Sequence, residues 1–523
     1  MDALLLASRK YPKPDNFIPS YGTAGFRANA SLLNSTMFRC GIIIAARAII
    51  TKKTTGAVCT ASHNISSDNG IKLVDPSGDM LDPKWETYAN SICQAETEEE
   101  ISNIVKTLVP CFPKQCASNK VVLIGHDTRE SCDDLVKILV EGIKTLGVKA
   151  NVIGMMTTPQ LHFYVHNANK YSHIAMNVLF PQLYFTTVEN SFDVLFKRGT
   201  PKTVHVDCAN GVGYHTLLKF IPKLESLGLH VDMRNTGHGK LNFNCGADYV
   251  QKEGKFPDNF ENIPENSYCC SLDGDADRLV YFTKINGKFV LLNGDRLACL
   301  YGIYLKFLIM NIENFPEYTM GIVQTAYANG SSTSFMELGM KCEVKHTPTG
   351  VKYLHNIAKE YDIGIYFESN GHGTILFDPE FIKKVEELDD DNYHVIKFLA
   401  VANLMNQNVG DGISNLLLAE TVFTTGYAID EWIQLYKELP CCQMQVHVQD
   451  KNKIKTTYDE KKCVEPIGLQ DAIDKVVRKY KRARAFVRPS GTEDAVRVYS
   501  EAESEEDVYK LGHEIADLLP LFV

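Results

Sequence analysis

Short apolar runs that end in polar loops recur along this chain, and they constrain its fold more than any other feature. Five of these runs have the length and composition of buried strands, at residues 56–61, 119–125, 203–206, 362–367 and 485–487. Helical patterns lie between them. Strands that alternate with helices predict α/β domains on mixed or largely parallel sheets, with ligand sites at the carboxyl ends of the strands.

The chain is too long for one hydrophobic core. Its 523 residues suggest about three or four domains. Polar, weakly periodic stretches place the breaks near residues 180, 292 and 430. The predicted domains are therefore 1–180, 181–292, 293–430 and 431–523.

Charge and hydropathy argue against several classes of function. The chain has 54 Lys and Arg against 64 Asp and Glu, a formal net charge of −10, and so lacks the overall basic balance typical of nucleic-acid binding. Its longest apolar stretches, 40–50 and 297–310, are too short to span a bilayer. The N-terminus lacks the features of a signal peptide. We expect a cytosolic protein that binds neither nucleic acid nor membrane.

The cysteines show no metal-binding or redox pattern. There are 15 of them, spread over the whole chain, with no CxxC and no Cys/His spacing suited to zinc. Small buried thiols in a reducing compartment are the simplest interpretation.

Three carboxylates at alternate positions, Asp273, Asp275 and Asp277, follow an apolar segment. Alternate residues of an extended segment project the same way, so these charges would repel one another unless a divalent cation neutralised them. Three protein oxygens suit Mg²⁺, which keeps room for a phosphate oxygen or water. An EF-hand is excluded, because Arg278 and Lys284 stand where its Gly and Glu are required. A solvated turn is the alternative, which the flanking apolar runs disfavour.

Two other loops suit phosphate or sugar chemistry but have plain structural alternatives. Ser62 is a candidate nucleophile at the tip of a strand-to-loop turn, and His63 is a candidate base. Glu368 and Asn370 lie on a Gly-rich turn whose donors and acceptors suit sugar hydroxyls. Taken alone, the serine loop is more simply an ordinary polar turn, and the second loop is equally well explained as a structural turn.

The loop that begins at Arg488 has the composition of a phosphate cradle. Arginine offers a bidentate fork, the hydroxyls of Ser490 and Thr492 donate, and Gly491 lets backbone N–H groups approach an anion. A tight turn with a solvated Arg488 explains this loop equally well when it is taken alone. The chain contains neither a Walker A loop nor a complete dinucleotide-binding fingerprint, so NTPase and Rossmann chemistry are not supported.

Together and in this order, these loops resemble those of the α-D-phosphohexomutase superfamily. The resemblance covers nearly the whole chain. Further segments that carry it are YGTAGFR (21–27), GHDTR (125–129), TTPQLH (157–162), VDCANG (206–211), LNFNCGAD (241–248), VQTAYANGSS (323–332) and TGVK (349–352). The Glu-x-Asn-Gly-His-Gly-Thr form of the sugar loop is similar to that of the branch that acts on N-acetylglucosamine phosphates.

The resemblance implies a fold and an activity. The fold would be α/β, with three α/β domains on mixed sheets and a smaller α+β C-terminal domain around a central cleft. The activity would interconvert N-acetylglucosamine 6-phosphate and 1-phosphate through phosphoserine and a 1,6-bisphosphate intermediate. One Mg²⁺ per chain and a sugar 1,6-bisphosphate as priming activator are implied. The expected partners are small hexosamine phosphates, and the expected state is a monomer or weak dimer.

The resemblance also assigns roles to residues. Ser62 would carry the phosphoryl group, and Asp273, Asp275 and Asp277 would hold Mg²⁺ with an oxygen of the phosphoserine. The residues implied to bind substrate are Arg278, Glu368, Asn370, Gly371, His372, Arg488, Ser490, Gly491, Thr492 and Arg497.

Charge stabilisation and proton transfer would fall to other residues. Arg27, His63 and Arg278 would add positive field or move a proton. His63 and Lys352 are the candidate general bases, with a phosphate contact and a surface lysine as equally good alternatives.

One residue departs from the resemblance. The superfamily usually has Pro after the Asn of the serine loop, whereas this chain has Ile65. Proline would fix φ and restrict the loop, so we expect a functional loop with somewhat altered order.

Three other functions remain open on the sequence. A phosphoglucomutase or phosphomannomutase would prefer sugars without the acetamido group. A phosphatase would use an Asp-x-Asp nucleophile and survive the loss of Ser62. A catalytically impaired relative would act as a binding protein, and Ile65 is the main point in its favour.

Overall fold

The computed structural model describes residues 2–22, 25–109, 121–171, 180–199, 202–388, 391–490 and 495–523. Within these ranges the strands form four main sheets and one two-stranded ribbon. Helices alternate with strands through most of the chain, and the sheets are mixed. The predicted α/β class is therefore confirmed.

The first sheet has five strands: β1 Phe26–Asn29, β2 Thr55–Cys59, β3 Asp68–Val74, β4 Val121–His126 and β5 Lys149–Met155. Their order is β1-β3-β2-β4-β5, in which β2, β4 and β5 are parallel and β3 is antiparallel to both its neighbours. The helices of this part are α1 Asp2–Ser8, α2 Asn34–Thr51, α3 Pro83–Gln94, α4 Glu98–Leu108, α5 Cys132–Lys144 and α6 Thr158–Lys170. Because β2 and β4 run parallel, the loops that follow them meet at one edge of the sheet.

The second sheet also has five strands: β6 Lys202–Asp207, β7 Leu229–Arg234, β8 Tyr268–Leu272, β9 Leu279–Ile285 and β10 Lys288–Leu292. Their order is β10-β9-β8-β6-β7, with β7, β6 and β8 parallel and β9 antiparallel to β8 and β10. The helices of this part are α7 Phe180–Leu195, α8 Gly213–Leu227 and α9 Ala247–Glu253.

The third sheet has four strands: β11 Met320–Thr325, β12 Glu343–Thr347, β13 Ile363–Phe367 and β14 Gly373–Phe377. Their order is β12-β11-β13-β14, with β11 parallel to β12 and β13. The helices here are α10 Gly294–Met310, α11 Gly330–Ser334, α12 Val351–Ala358, α13 Pro379–Glu386, α14 Tyr393–Leu404 and α15 Gly412–Thr424.

The last part of the chain is smaller and has the predicted α+β character. Its strands are β15 Cys441–His447, β16 Lys455–Thr456, β17 Cys463–Glu465, β18 Arg484–Pro489 and β19 Ala495–Glu501. The antiparallel sheet has the order β15-β19-β18, and β16 pairs with β17. The helices are α16 Ile429–Gln434, α17 Leu469–Val477 and α18 Glu505–Leu518.

Contacts divide the chain into two compact units. The first contains residues 1–293, 372–374 and 399–425, and the second contains 294–371, 375–398 and 426–523. The first unit includes both five-stranded sheets and α15, and the second includes the last sheet. The four domain boundaries inferred from the sequence stay predictions.

Helices α2 and α5 approach closely because glycines lie where they cross. A Cβ added to Gly142 would lie 2.0 Å from the carbonyl oxygen of Phe38, and one added to Gly41 would lie 2.4 Å from that of Leu139. A side chain at either position would push the helices apart. This packing supports the sheet whose loop carries Ser62.

Most of the described cysteines are buried, as the sequence predicted. All are free thiols, and all except Cys441 and Cys442 are buried. In the described part of the chain, no helix combines the length and hydropathy needed to cross a membrane.

A buried ion pair joins β6 to α15. Lys202 Nζ lies 2.8 Å from Glu420 Oε2 and 3.7 Å from the centroid of the Tyr268 ring. Tyr281 donates a hydrogen bond of 2.8 Å to the other Glu420 carboxylate oxygen. Glu420 is fully buried, so its charge depends on these partners.

Replacing Lys202 with methionine should destabilise the protein by about 3–5 kcal/mol, because Glu420 would remain as an uncompensated buried charge. The full chain should show a lower unfolding midpoint in urea. The double variant Lys202→Met, Glu420→Met should recover most of the loss, since it removes both charges. A single variant as stable as the parent would contradict this account.

Candidate active site

The serine loop follows β2 and holds Ser62 in an unusual backbone conformation. Ser62 has a φ of 53°, in the left-handed region that residues other than glycine seldom adopt. Its N–H donates to Thr60 Oγ1 at 2.9 Å, and the Thr60 hydroxyl donates to Asp127 Oδ2 at 2.6 Å. Backbone strain of this kind persists only where the surroundings enforce it, and it is frequent at functional sites.

The three carboxylates after β8 converge, but not in the way the sequence suggested. Asp273, Asp275 and Asp277 each offer an oxygen, and these atoms lie within 4.8 Å of one another. The segment is a turn rather than an extended strand, and Ala276 has a φ of 56°. The predicted extended geometry is therefore wrong. The left-handed residue bends the chain so that the carboxylates meet at its centre.

The hydroxyl of Ser62 lies among these carboxylates. Ser62 Oγ is 2.9 Å from Asp273 Oδ2 and 2.7 Å from Asp275 Oδ1. All four residues of the group are buried, with at most 1% of any of them exposed. Within the described residues, the three aspartates are the one group of side chains arranged to hold a metal ion.

Lys72 completes the cluster, and sequence reasoning gave it no role. Its Nζ donates at 2.6 Å to Asp275 Oδ2 and at 2.6 Å to Asp277 Oδ2. Lys72 lies on β3, where its neighbours along the strand are apolar and buried. A buried lysine is rarely left unpaired. The position of Lys72 within an apolar strand was therefore the sequence signal that could have predicted a buried acidic partner.

The charges of the cluster are unevenly compensated. Burial and the neighbouring carboxylates raise the pKa of Asp273 well above its usual value. Burial also opposes the charge of Asp277, but the surrounding His372, Lys72 and Arg278 hold its pKa well below the usual value. A buried set of hard oxygen donors with charge left to neutralise fits a divalent cation such as Mg²⁺.

Arg27 and His63 lie beside the serine loop. Arg27 Nη1 donates to Asn64 Oδ1 at 3.2 Å and lies 3.5 Å from His63 Nε2. Removal from water and the nearby Arg278 lower the pKa of His63 to about 3. The imidazole is therefore uncharged near neutral pH, the form that accepts a proton or a hydrogen bond, and its role as general base stays a prediction.

Arg278 and His372 both contact the carboxylate cluster. Arg278 Nε lies 3.2 Å from Asp273 Oδ2 and 3.3 Å from Asp277 Oδ1. His372 Nδ1 lies 3.4 Å from Asp277 Oδ1, and a β-bridge pairs His372 with Arg278. Both residues were predicted to bind substrate. The structure brings them together at the edge of the cluster.

The predicted sugar loop is the turn between β13 and β14. Glu368 and Asn370 are half-buried, and Asn370 Nδ2 donates to Glu368 Oε2 at 3.4 Å. Gly371 closes the turn with a φ of 86° and an N–H donated to the Glu368 carbonyl at 2.8 Å. Gly294 packs against the same carbonyl, where a Cβ would lie only 1.9 Å from the oxygen. The backbone of the loop is thus held by close contacts, and its carboxylate and amide lie side by side.

Lys352, the second candidate base, belongs to the same compact unit. It lies in the first turn of α12, after Gly350, which has a φ of 132°. Its side chain is largely buried, so the surface-lysine alternative does not describe its position.

The predicted phosphate site spans β18 and β19. Arg488 and Arg497 face each other across the antiparallel pair, and directly opposed like charges repel. Arg488 donates to Glu460 Oε1 at 2.8 Å and to the Tyr327 hydroxyl at 3.1 Å. Ser490 follows Arg488 and is buried. Gly491 and Thr492, the other predicted members, lie outside the described residues.

Arg488 is predicted to bind the non-reacting phosphate of the substrate. Its loss should therefore weaken substrate binding more than it slows the transfer step. Replacing Arg488 with methionine should raise KM for the sugar phosphate by about 10–100-fold with a smaller change in kcat, because a charged hydrogen-bonding partner is lost in both ground and transition states. Steady-state kinetics measures the split. Arg478→Met, at an exposed position of the same part of the chain, is the matched control. A loss confined to kcat would count against this role.

Four family profiles match the chain. "Phosphoacetylglucosamine mutase AMG1, domain II" matches residues 177–280, and "Phosphoacetylglucosamine mutase AMG1, domain III" matches residues 293–427. "Phosphoglucomutase/phosphomannomutase, C-terminal domain" matches residues 444–518. The fourth, "Phosphoglucomutase/phosphomannomutase, alpha/beta/alpha domain I", matches residues 89–178.

Whole proteins match as well. The phosphoacetylglucosamine mutase of Sus scrofa is 42% identical over 99% of this chain and 96% of its own length. A crystal structure of N-acetylglucosamine-phosphate mutase in its substrate complex has a TM-score of 0.92 at 37% identity, over 99% of both chains. The Aspergillus fumigatus N-acetylphosphoglucosamine mutase in complex with GlcNAc-6P and magnesium has a TM-score of 0.92 at 36% identity, over 99% of this chain and 98% of the other.

The mixed α/β sheets, together with a serine hydroxyl held among three buried aspartates, define a member of the α-D-phosphohexomutase superfamily. Within that superfamily, the identity of 42% over 99% of the chain places the protein in one family. The chain belongs to the phosphoacetylglucosamine mutase family.

Proposed function

We propose that this protein interconverts N-acetylglucosamine 6-phosphate and N-acetylglucosamine 1-phosphate, a step that supplies the 1-phosphate for UDP-N-acetylglucosamine synthesis. Ser62 carries the phosphoryl group, which it first acquires from a sugar 1,6-bisphosphate. The observation that carries this proposal is the position of Ser62 Oγ, 2.9 Å from Asp273 Oδ2 and 2.7 Å from Asp275 Oδ1.

The two transfers mirror each other. In the first, the P–O bond to Ser62 Oγ breaks and Ser62 Oγ takes a proton, while the free hydroxyl of the sugar loses its proton and takes the phosphoryl group, which gives the 1,6-bisphosphate. In the second, the Ser62 hydroxyl loses its proton and takes the other phosphoryl group, the P–O bond to that sugar oxygen breaks, and the released sugar oxygen takes a proton. Catalysis of such transfers is mostly positioning and charge stabilisation.

Asp273, Asp275 and Asp277 would hold one Mg²⁺ per chain, together with an oxygen of phosphorylated Ser62. When bound, the ion would neutralise charge on the phosphoryl oxygens. Lys72 keeps two of the carboxylates charged and fixed through its two 2.6 Å contacts.

Positive side chains surround the reacting end. Arg27 and Arg278 supply charge close to Ser62, and His63 contributes a hydrogen-bonding ring. Lys352 and His63 are the candidates to take the sugar proton.

The other loops bind the substrate away from the reaction. Glu368, Asn370 and Gly371 suit the sugar hydroxyls, since together they offer acceptors, donors and a fixed backbone. Arg488, Ser490 and Arg497 suit the second phosphate. Because arginines recognise the charge of a phosphate rather than sugar stereochemistry, this site can accept either end of the bisphosphate.

The proposal is tested by a coupled assay for N-acetylglucosamine 1-phosphate, with Mg²⁺ and a trace of the 1,6-bisphosphate. Rates with plain glucose and mannose phosphates are measured alongside. We expect reversible conversion without release of inorganic phosphate, and faster conversion of the acetylated sugar. Release of inorganic phosphate as the main product would favour a phosphatase, and absence of any turnover would favour a binding protein.

A further inference from the structure

The left-handed backbone conformation of Ser62 has to be stabilised by surrounding contacts, since a φ of 53° is strained for a residue other than glycine. Proline is not available for this task, because Ile65 stands after the Asn of the loop. Ile65 is 59% exposed and so contributes little packing. Thr60 Oγ1 restrains the Ser62 N–H within the loop, and the restraint on the carbonyl side comes from outside it.

Two side chains donate hydrogen bonds to carbonyl groups of the serine loop. Arg129 Nη2 donates to the carbonyl oxygen of Ser62 at 3.2 Å and to that of Asn64 at 2.8 Å. Asn242 Nδ2 donates to the same two oxygens, at 2.9 and 3.0 Å. Each carbonyl therefore accepts from both side chains, which fixes the direction of both peptide groups.

Arg129 is itself fixed. Its side chain is fully buried, forms an ion pair with Asp127 and donates from Nε to the carbonyl of Asp68 at 2.8 Å. Asp127 also accepts the hydroxyl of Thr60, which bonds the Ser62 N–H. Both ends of the Ser62 backbone are thus tied to one buried pair.

Asn242 approaches from the other five-stranded sheet. It lies between β7 and α9, in the same compact unit as the serine loop. The turn that holds the aspartates touches the same oxygen, since a Cβ at Gly274 would lie 2.5 Å from the Ser62 carbonyl and 3.0 Å from Asn242 Nδ2. Asn242 therefore sets the serine loop relative to the aspartates.

We infer that Arg129 and Asn242 are positioning residues for phosphoryl transfer. They restrain the loop through its two carbonyl groups and align Ser62 Oγ with the carboxylate cluster. Neither touches the reacting atoms. The inference rests on the proposed function, because it concerns the residue that carries the phosphoryl group.

Asn242→Gly tests this directly. Asn242 has a φ of 56°, which glycine adopts without strain, so the variant removes the donor and little else. The matched control is Asn244→Gly, since Asn244 has a φ of 50° in the same segment and an exposed side chain. Kinetics, the rate of Ser62 phosphorylation by sugar 1,6-bisphosphate, and the thermal midpoint are measured for both.

We expect kcat and the phosphorylation rate of Asn242→Gly to fall together by on the order of 10–100-fold, with KM and the thermal midpoint close to those of the control. A double-mutant cycle tests whether the two side chains act together. Arg129→Lys keeps the positive charge of Arg129 but not the fork of the guanidinium. Asn242→Gly should reduce kcat by a smaller factor in the Arg129→Lys protein than in the parent, because both side chains bond the same two carbonyl groups. Equal kcat in Asn242→Gly and Asn244→Gly would overturn the inference, as would a loss explained by unfolded protein. A parent protein that does not phosphorylate Ser62 would instead overturn the proposed function.

Discussion

Replacing Ser62 with alanine should reduce mutase turnover by about 10⁴-fold or more, because loss of a covalent nucleophile removes the only route to the bisphosphate. The sugar phosphate should still bind, since the predicted sugar and phosphate loops are unchanged. Among the described residues, Ser62 Oγ makes hydrogen bonds only to the carboxylate cluster, so its removal should leave the fold intact. Activity and binding are measured by the coupled assay and by calorimetry.

The matched control is Ser66→Ala. Ser66 lies in the same loop but is exposed, so this variant should keep the activity of the parent. Ser62→Ala with substantial turnover would contradict the role of Ser62. Turnover with release of inorganic phosphate would point to a phosphatase that uses one of the aspartates.

Asp275→Asn should weaken Mg²⁺ binding and reduce kcat, each by about 10²-fold or more. Asparagine has the same shape but lacks the charge that the ion needs, and a missing charge-stabilising group typically costs 10²–10³-fold in rate. Asp275 also accepts from Lys72 and Thr158, so these contacts would weaken as well. The dependence of rate on Mg²⁺ concentration gives both quantities.

Asp258→Asn is the control for this second prediction, because Asp258 is an exposed acid from the same part of the chain. It should leave the Mg²⁺ dependence unchanged. If Asp275→Asn kept the parental Mg²⁺ dependence, the carboxylate cluster would not be the metal site.

Much of the fold could be predicted from local pattern. Strands β2, β4, β6, β13 and β18 lie where apolar runs end in polar loops, because burial and turn chemistry are written in neighbouring residues. The helix α7 could not be predicted in this way. Its buried apolar residues Tyr184, Phe185, Val188 and Phe192 have helical spacing, but apolar residues also lie outside that face, such as Val194, which is exposed, and they weaken the period in the sequence.

Some residues of the candidate site could likewise be predicted from the sequence, and others could not. The three aspartates are a signal in themselves, although their geometry depends on the left-handed Ala276. Ser62 taken alone is no more than a polar turn, and its predicted role comes from the ordered set of loops that resembles the superfamily. Lys72 and Asn242 were missed as functional residues. Asn242 contacts a loop 178 positions away in sequence, and no local pattern records such a partner.

The most direct test is to find where the phosphoryl group resides. Dephosphorylated protein is mixed with N-acetylglucosamine 1,6-bisphosphate and Mg²⁺, digested, and analysed by mass spectrometry, and a second portion is chased with N-acetylglucosamine 6-phosphate. We expect phosphate on Ser62 alone, and its transfer to the sugar during the chase. Turnover with no phosphate on Ser62, or with phosphate on another residue, would contradict the central claim.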